Sequence, residues 1–426
     1  MKKIKLEKFD EIIYYDVCSN GLPIYMWINE KVSSFYATLS VKYGSIDTEF
    51  AVKNKKKSYK VPKGTAHFLE HVKFNEGENK TAHEYFNKLG SSINAFTTFD
   101  YTSYEVFGNS NIKENIEHLL DYVETPYFTK KLVNKEAGII KEEVKMGKNN
   151  PSQVLLYALN NIIYQNNNRK YYITGDEDDV SSITEEDLKL VYDSFYHPEN
   201  MFIVITGNFN PYEVAAIIKE NQARKTFSTY LEPQKIYPKE DGKYLKKEEV
   251  IKGNVSIPKI KIAYKISKKK FNDLSDLEIL LYTRIILNAN FGNTSDLKEE
   301  LLEQELVTIL STNASIVDDF VILVITAETK YPNEIKNVIK ERMQNLSISK
   351  KMLERRIKTN IADMIYSFDD IEYINTMIQG NILRYNKIVT NLYDVLKSLN
   401  LESCDKIISI IKNSKSCDII MLPNET

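Results

Sequence analysis

The sequence predicts an α+β fold built as two similar halves, each an antiparallel-rich sheet with helices packed on it. Three observations predict it. Short runs with period-2 alternation recur beside longer runs with helical spacing, so both strands and helices are expected. The same kinds of run then return in the same order about 220 residues later, the mark of an internal duplication. Between them, from about residue 223 to 247, lies a stretch rich in Lys and Glu that contains Pro233, Pro238 and Gly242 and reads as a linker. The expected division is a first half at 1–222, a linker at 223–247 and a second half at 248–426.

The elements follow in order. Phe35, Ala37, Leu39, Val41 and Tyr43 alternate with mostly polar neighbours, which predicts a half-buried strand. The lysine-heavy residues from Lys53 to Lys60 read as a solvated loop. Gly64 and Thr65 then lead into a helix. Thr81 with Glu84 predicts a capping box that starts a second helix, which Gly90 stops. Ile93 to Thr97 and Tyr101 to Phe107 read as a β-hairpin around Phe99 and Asp100, with helices expected at 112–123 and 130–146. Thr184 with Asp187 caps another helix, and Met201 to Gly207 is a buried strand. In the second half, 257–266, 320–326 and 417–422 read as strands like those at Phe35, Tyr101 and Met201, and 273–288 as a helix.

Composition excludes several functions. Lys plus Arg number 57 against 59 Asp plus Glu, so no net field would draw nucleic acid or an acidic membrane. The basic start is followed by no apolar signal region, and no run of 18 apolar residues occurs, so neither a secretory signal nor a membrane span is expected. Cys18, Cys404 and Cys417 are scattered without metal spacing and suit reduced thiols in a cytoplasmic protein.

The chemistry lies in His67-Phe68-Leu69-Glu70-His71. On a helix, i, i+3 and i+4 share one face, so both imidazoles can address one ion with Glu70 beside them. This is the inverted zinc-peptidase pattern, H-x-x-E-H. Random placement of the 5 histidines would give only about 0.06 pairs at this spacing, before the glutamate is required. All five (His67, His71, His83, His118, His197) precede residue 198, so the second half cannot repeat a histidine site. His83 and His118 read as surface residues, His197 as a packed corner.

Catalytic zinc usually takes three protein ligands and leaves one position open, so a third is sought among the other histidines or a carboxylate. In the helix after Lys130, Glu136 and Glu143 fall within about 20° of each other, while Glu142 lies off that line. Ile139 and Ile140 flank the same face, so these glutamates are expected on the side that packs inward.

The order His67-Phe68-Leu69-Glu70-His71, then Asn94-Ala95-Phe96-Thr97, then Glu136 and Glu143, resembles the insulinase/pitrilysin family of zinc metallopeptidases, most of all its short bacterial members. The likeness extends through Pro126-Tyr127-Phe128, Phe195-Tyr196-His197-Pro198 and Gly292-Asn293-Thr294-Ser295, and is stronger in the first half. It implies two similar α/β sandwich halves, zinc held by His67, His71 and Glu143, and Glu136 steadying a ligand imidazole. It implies Glu70 as the general base. Asn94, Ala95 and Phe96 would lie on a strand that pairs with an extended substrate, although Asn94 alone also fits a hairpin role. One departure stands out: Leu301, Leu302 and Thr308 occupy the stretch where many members carry an Arg and a Tyr that contact substrate.

The expected function is thus a zinc-dependent endopeptidase cleaving short unstructured peptides, such as a leader or maturation peptide. A homologous zinc-less partner, or a second copy, would complete a dimeric chamber. The alternative is a zinc-stabilised peptide-binding or assembly subunit with little turnover. Two imidazoles and a carboxylate suit zinc without excluding another divalent metal.

Overall fold

A computed structural model describes residues 1–52 and 57–424. Of the loop expected at Lys53 to Lys60, residues 53–56 lie outside the described residues; Ser58–Lys60 form a short strand paired with Glu49–Val52.

The chain forms two compact units that follow the halves of the sequence only in part. The first comprises Met1–Val144, Tyr171–Tyr237 and Met364–Leu392. The second comprises Lys145–Lys170, Pro238–Asp363 and Tyr393–Thr426. The passage from Tyr237 to Pro238 falls inside the stretch read as a linker, but each unit also takes a segment from the other half of the sequence.

The first unit is organised by a seven-stranded sheet. Its strands are β1 (Lys2–Leu6), β2 (Glu11–Val17), β3 (Pro23–Ile28), β4 (Phe35–Val41), β5 (Ser92–Thr97), β6 (Thr102–Gly108) and β7 (Met201–Gly207). They lie in the order β1-β2-β3-β7-β4-β6-β5, with β3 and β7 parallel and every other neighbouring pair antiparallel. The hairpin expected around Phe99 and Asp100 is β5–β6, with Thr97 opposite Thr102. Four helices follow the early strands: α1 (Thr65–Lys73), α2 (Ala82–Lys88), α3 (Ile112–Glu124) and α4 (Lys130–Lys148).

Helix α2 starts at Thr81 as expected, but no side-chain hydrogen bond caps it, so the capping box read from Thr81 and Glu84 does not form. It ends with Gly90 at φ 71, the left-handed conformation that glycine tolerates best after a helix. The cap expected at Thr184 with Asp187 does form, as a capping box.

Both faces of this sheet are covered. On one, Phe68, Leu69 and Val72 of α1 and Ile116, Leu119 and Leu120 of α3 share a core with Leu39, Val41, Tyr104 and Val106. On the other, Ile374, Ile378 and Ile382 of the helix Ile371–Tyr385 pack with Trp27, Tyr36, Phe202 and Val204. This corrects the half-buried reading of β4, every residue of which is buried. Its polar positions are satisfied by side chains from that remote helix: Thr38 Oγ1 donates to Asn375 Oδ1 at 2.8 Å and Ser40 Oγ to Gln379 Oε1 at 3.0 Å.

The second unit holds a five-stranded sheet of β8 (Glu248–Gly253), β9 (Lys259–Ser267), β10 (Ile309–Val317), β11 (Phe320–Glu328) and β12 (Ser416–Pro423), ordered β8-β12-β9-β11-β10. The pair β8–β12 is parallel and the rest are antiparallel. Order and sense repeat those of β3-β7-β4-β6-β5, which is the duplication expressed as topology. Leu155, Leu159 and Ile162 of the helix Pro151–Ile163 pack on Ala263, Ile322, Ile419 and Met421. Beside them Lys265 is buried, its Nζ donating to Ile163 O at 3.0 Å and to Glu240 Oε1 at 2.6 Å. Glu240 also accepts from the backbone N–H groups of Gln165, Asn166 and Asn167.

Candidate metal centre

The metal motif sits on α1, whose start depends on a glycine. Gly64 has φ 81, and a Cβ there would lie 2.2 Å from the carbonyl oxygen of Thr174. Only glycine lets the chain enter the helix against that strand of backbone. From there α1 is buried along nearly its whole length, and His71 is its one half-exposed residue.

Helical spacing brings the side chains together as the sequence implies. Ligand-type atoms of His67, Glu70 and His71 lie within 4.8 Å of one another. From α4, Glu143 reaches both imidazoles: Oε1 is 3.6 Å from His67 Nε2 and Oε2 is 3.3 Å from His71 Nε2. Tetrahedral zinc with ligand bonds of about 2.0–2.1 Å holds neighbouring ligand atoms about 3.3–3.4 Å apart. The two contacts, one to each carboxylate oxygen, are thus each close to the spacing of a pair of donors on one ion, and the donor set of two imidazoles and a carboxylate suits zinc.

Around this set, Glu136 Oε2 stands 3.8 Å from His71 Nδ1, an ion-pair distance on the ring edge away from Glu143. Glu136 is buried, whereas the Glu143 side chain is 44% exposed. Ile140 packs inward but Ile139 is exposed, which corrects the expectation that both flank an inward face. Adjacent helical residues are about 100° apart, and only Ile140 falls in the buried stripe with Leu132, Val133, Glu136 and Val144.

The protein environment separates the titrations. Burial, helped by the neighbouring His71, pushes His67 down to about 4, so its imidazole is neutral at physiological pH, the form that binds metals. Burial works against a charge on His71, yet the carboxylates of Glu136 and Glu143 outweigh it and hold the ring at about 9. The Glu143 carboxyl is lowered, first by its bond to His71. Burial raises Glu70 to about 7, although the hydroxyl of Thr97, 2.6 Å from Oε2, favours the ionised form.

Asn94, Ala95 and Phe96 lie on β5, at the edge of the seven-stranded sheet. Ala95 points into the core shared with α1, while Asn94 is exposed. Thr97 ends the strand and touches Glu70. The sequence placed Thr97 in a signature without giving it a task; the period-2 alternation that puts it on the α1 side with Ala95 is the signal that could have.

The remaining histidines stand apart. His83 is exposed. His118 is not the surface residue expected: it stacks on Tyr85 at 3.6 Å between ring centroids and lies 3.1 Å from Glu76, with its side chain only 11% exposed. His197 is a packed corner, its Nδ1 accepting from Glu199 N and its Nε2 against Ser228 O.

A duplicated α/β fold with an inverted H-x-x-E-H helix facing a carboxylate helix defines the class, and comparison with known proteins agrees. The description "Insulinase (Peptidase family M16)" matches residues 56–177, and "Peptidase M16 inactive domain" matches 182–359. The chain belongs to the insulinase (M16) family, whose named members include zinc proteases. It is 31% identical to the uncharacterized zinc protease YmfH of Bacillus subtilis, over 98% of this chain and 97% of that one. Among solved structures it is similar to an M16-like peptidase from Alicyclobacillus acidocaldarius, at 27% identity and TM-score 0.90, covering 99% and 100% of the two chains. The periplasmic protease PqqL of Escherichia coli shares the fold at 16% identity and TM-score 0.78; 99% of this chain matches 48% of that one.

Proposed function

We propose that the protein is a zinc endopeptidase for short, unstructured peptides, with His67, His71 and Glu143 as the metal ligands. The observation that carries this reading is the approach of the two Nε2 atoms to Glu143 at 3.6 and 3.3 Å, with Glu70 alongside. A zinc ion held there would acidify a water and polarise a peptide carbonyl. Glu70, raised to about 7, takes the proton of the attacking water and passes it to the leaving amine. Glu136 steadies the His71 ring from its Nδ1 side. An extended peptide adds beside edge strand β5 at Asn94, Ala95 and Phe96, through main-chain hydrogen bonds that demand little of its sequence.

PqqL is about twice as long as this chain, which favours a second subunit here, either a zinc-less homologue or a second copy, closing a chamber around the peptide. Three buried, unpaired cysteines favour a reducing compartment, the cytoplasm. Among the described residues no helix is long and apolar enough to cross a membrane. The rival reading, a peptide-binding subunit with little turnover, is favoured by the match to an inactive domain and by Leu301, Leu302 and Thr308.

Zinc content and cleavage of an unstructured peptide, compared for the native protein and Glu70→Gln, separate the two readings. The variant is expected to keep zinc and lose about 10²–10⁴ in rate. Cleavage at the native rate would remove Glu70 from the mechanism. A native protein that binds peptide without cleaving it, even with its co-purified partner, would establish the subunit reading instead.

A further inference from the structure

We infer that Thr97 is a positioning residue for the general base: its hydroxyl fixes the Glu70 carboxylate and leaves one oxygen, Oε1, to carry the transferred proton. The inference rests on the reading of Glu70 as that base.

Counting protons gives the bond its direction. Thr97 has one hydroxyl proton and two near neighbours, Glu70 Oε2 at 2.6 Å and Thr102 Oγ1 at 3.3 Å. The single proton of Thr102 is committed to the carbonyl of Tyr43 at 3.0 Å. The shorter contact at Thr97 has the length of a charge-assisted O–H···O⁻ bond, so its proton goes to Glu70. Among the described residues, this is the one hydrogen bond that the Glu70 carboxylate receives. A carboxylate with Oε2 already accepting has Oε1 left for the water proton.

Thr97 is itself firmly placed. It pairs with Thr102 across the hairpin, and the turn beyond it is closed by Thr98, whose Oγ1 donates to Tyr101 O at 2.9 Å and accepts from Tyr101 N at 3.1 Å. The strand that ends at Thr97 is also the edge strand beside which the peptide is proposed to lie. One strand thus aligns the substrate backbone and the base, and both are referred to the same piece of β-structure.

The test uses the full chain as Thr97→Val, which keeps the shape and the strand preference, and Thr97→Ser, which keeps the hydroxyl. Zinc content, kcat and KM are measured for each, and crystal structures of the metal-free variants show where the Glu70 side chain lies. Thr97→Val is expected to keep zinc and KM, lose about 10- to 100-fold in kcat, and let the Glu70 carboxylate leave its native position. Thr97→Ser is expected to restore both. An unmoved Glu70 in Thr97→Val, or a serine variant as impaired as the valine one, would overturn the inference. If the native protein cleaves nothing, the peptidase reading fails, while the crystal comparison still decides whether Thr97 sets the carboxylate.

Discussion

Glu136 and Glu143 share a line along α4 and both face His71, yet their surroundings differ. Glu143 is half-exposed and approaches two Nε2 atoms, as the proposed third ligand; Glu136, the proposed support of the ring, is buried on the far edge of one imidazole. Replacing a group that only orients a ligand typically costs about 10–100-fold in metal affinity. Glu136→Gln is therefore expected within that range and Glu143→Gln beyond it, measured by zinc titration against a competing chelator. The opposite order would exchange the two roles. Much at this scale was legible: the i, i+4 histidines share one face of α1, and Glu143, which helical phase favoured over Glu142, lies near both rings. Ile139 failed on the phase of its own helix and the Thr81 cap on local geometry, while other misses needed a neighbour from elsewhere in the chain. His118 lies under Tyr85 and beside Glu76, and the spacing of its own helix does not reveal either.

Among the elements, β4 shows why alternation misleads. Its polar residues read as a solvent face, but Asn375 and Gln379 arrive from more than 300 residues away and turn that face into a polar layer inside the unit. Strands β4, β5, β6, β7, β9, β11 and β12 were legible because pairing needs only local period, whereas β1, β2, β3, β8 and β10 were not read from the sequence; burial was not legible either, because it depends on what covers the sheet. In the second unit, the element that fixes the end of the helix Pro151–Ile163 is a buried ion pair, Lys265 with Glu240. Burial tends to raise the Glu240 carboxyl, but Lys265 and the three backbone N–H groups outweigh it and lower it overall. A depressed carboxyl stabilises the fold fully above its unfolded value, and that contribution drains away as pH falls through the folded one. Stability measured by denaturant titration should accordingly drop below about pH 4.3. Glu240→Gln, which strands a buried lysine, is expected to cost about 3–5 kcal/mol at neutral pH and to flatten that acid dependence. An unchanged acid limb in the variant would show that other carboxylates carry it.

At the level of the whole molecule, the duplication was legible and the exchange of segments was not. Near-equal offsets between strands, about 220 residues, reveal a repeated sheet, and both sheets show it in the same order. That Met364–Leu392 belongs with the zinc-motif unit follows from contacts that no local pattern announces. A chain cut after Tyr237 retains all seven strands of the first sheet but lacks the helix over Trp27, Tyr36, Phe202 and Val204. Such a fragment is expected to aggregate or to bind a hydrophobic dye with little cooperative unfolding. Adding the peptide 364–392 back should restore a sharp transition, followed by circular dichroism. A monomeric fragment that unfolds cooperatively without it would show that the sheet needs no cover.

The same arrangement sets a timetable for synthesis. Proteins emerge from the ribosome amino terminus first, and domains usually fold as they appear. Here the metal motif at His67–His71 is made about 300 residues before the helix that covers the back of its sheet, Ile371–Tyr385. The candidate metal centre therefore gains its complete support long after its own helix has been made, and a nascent chain carries the motif well before it carries the scaffold behind it.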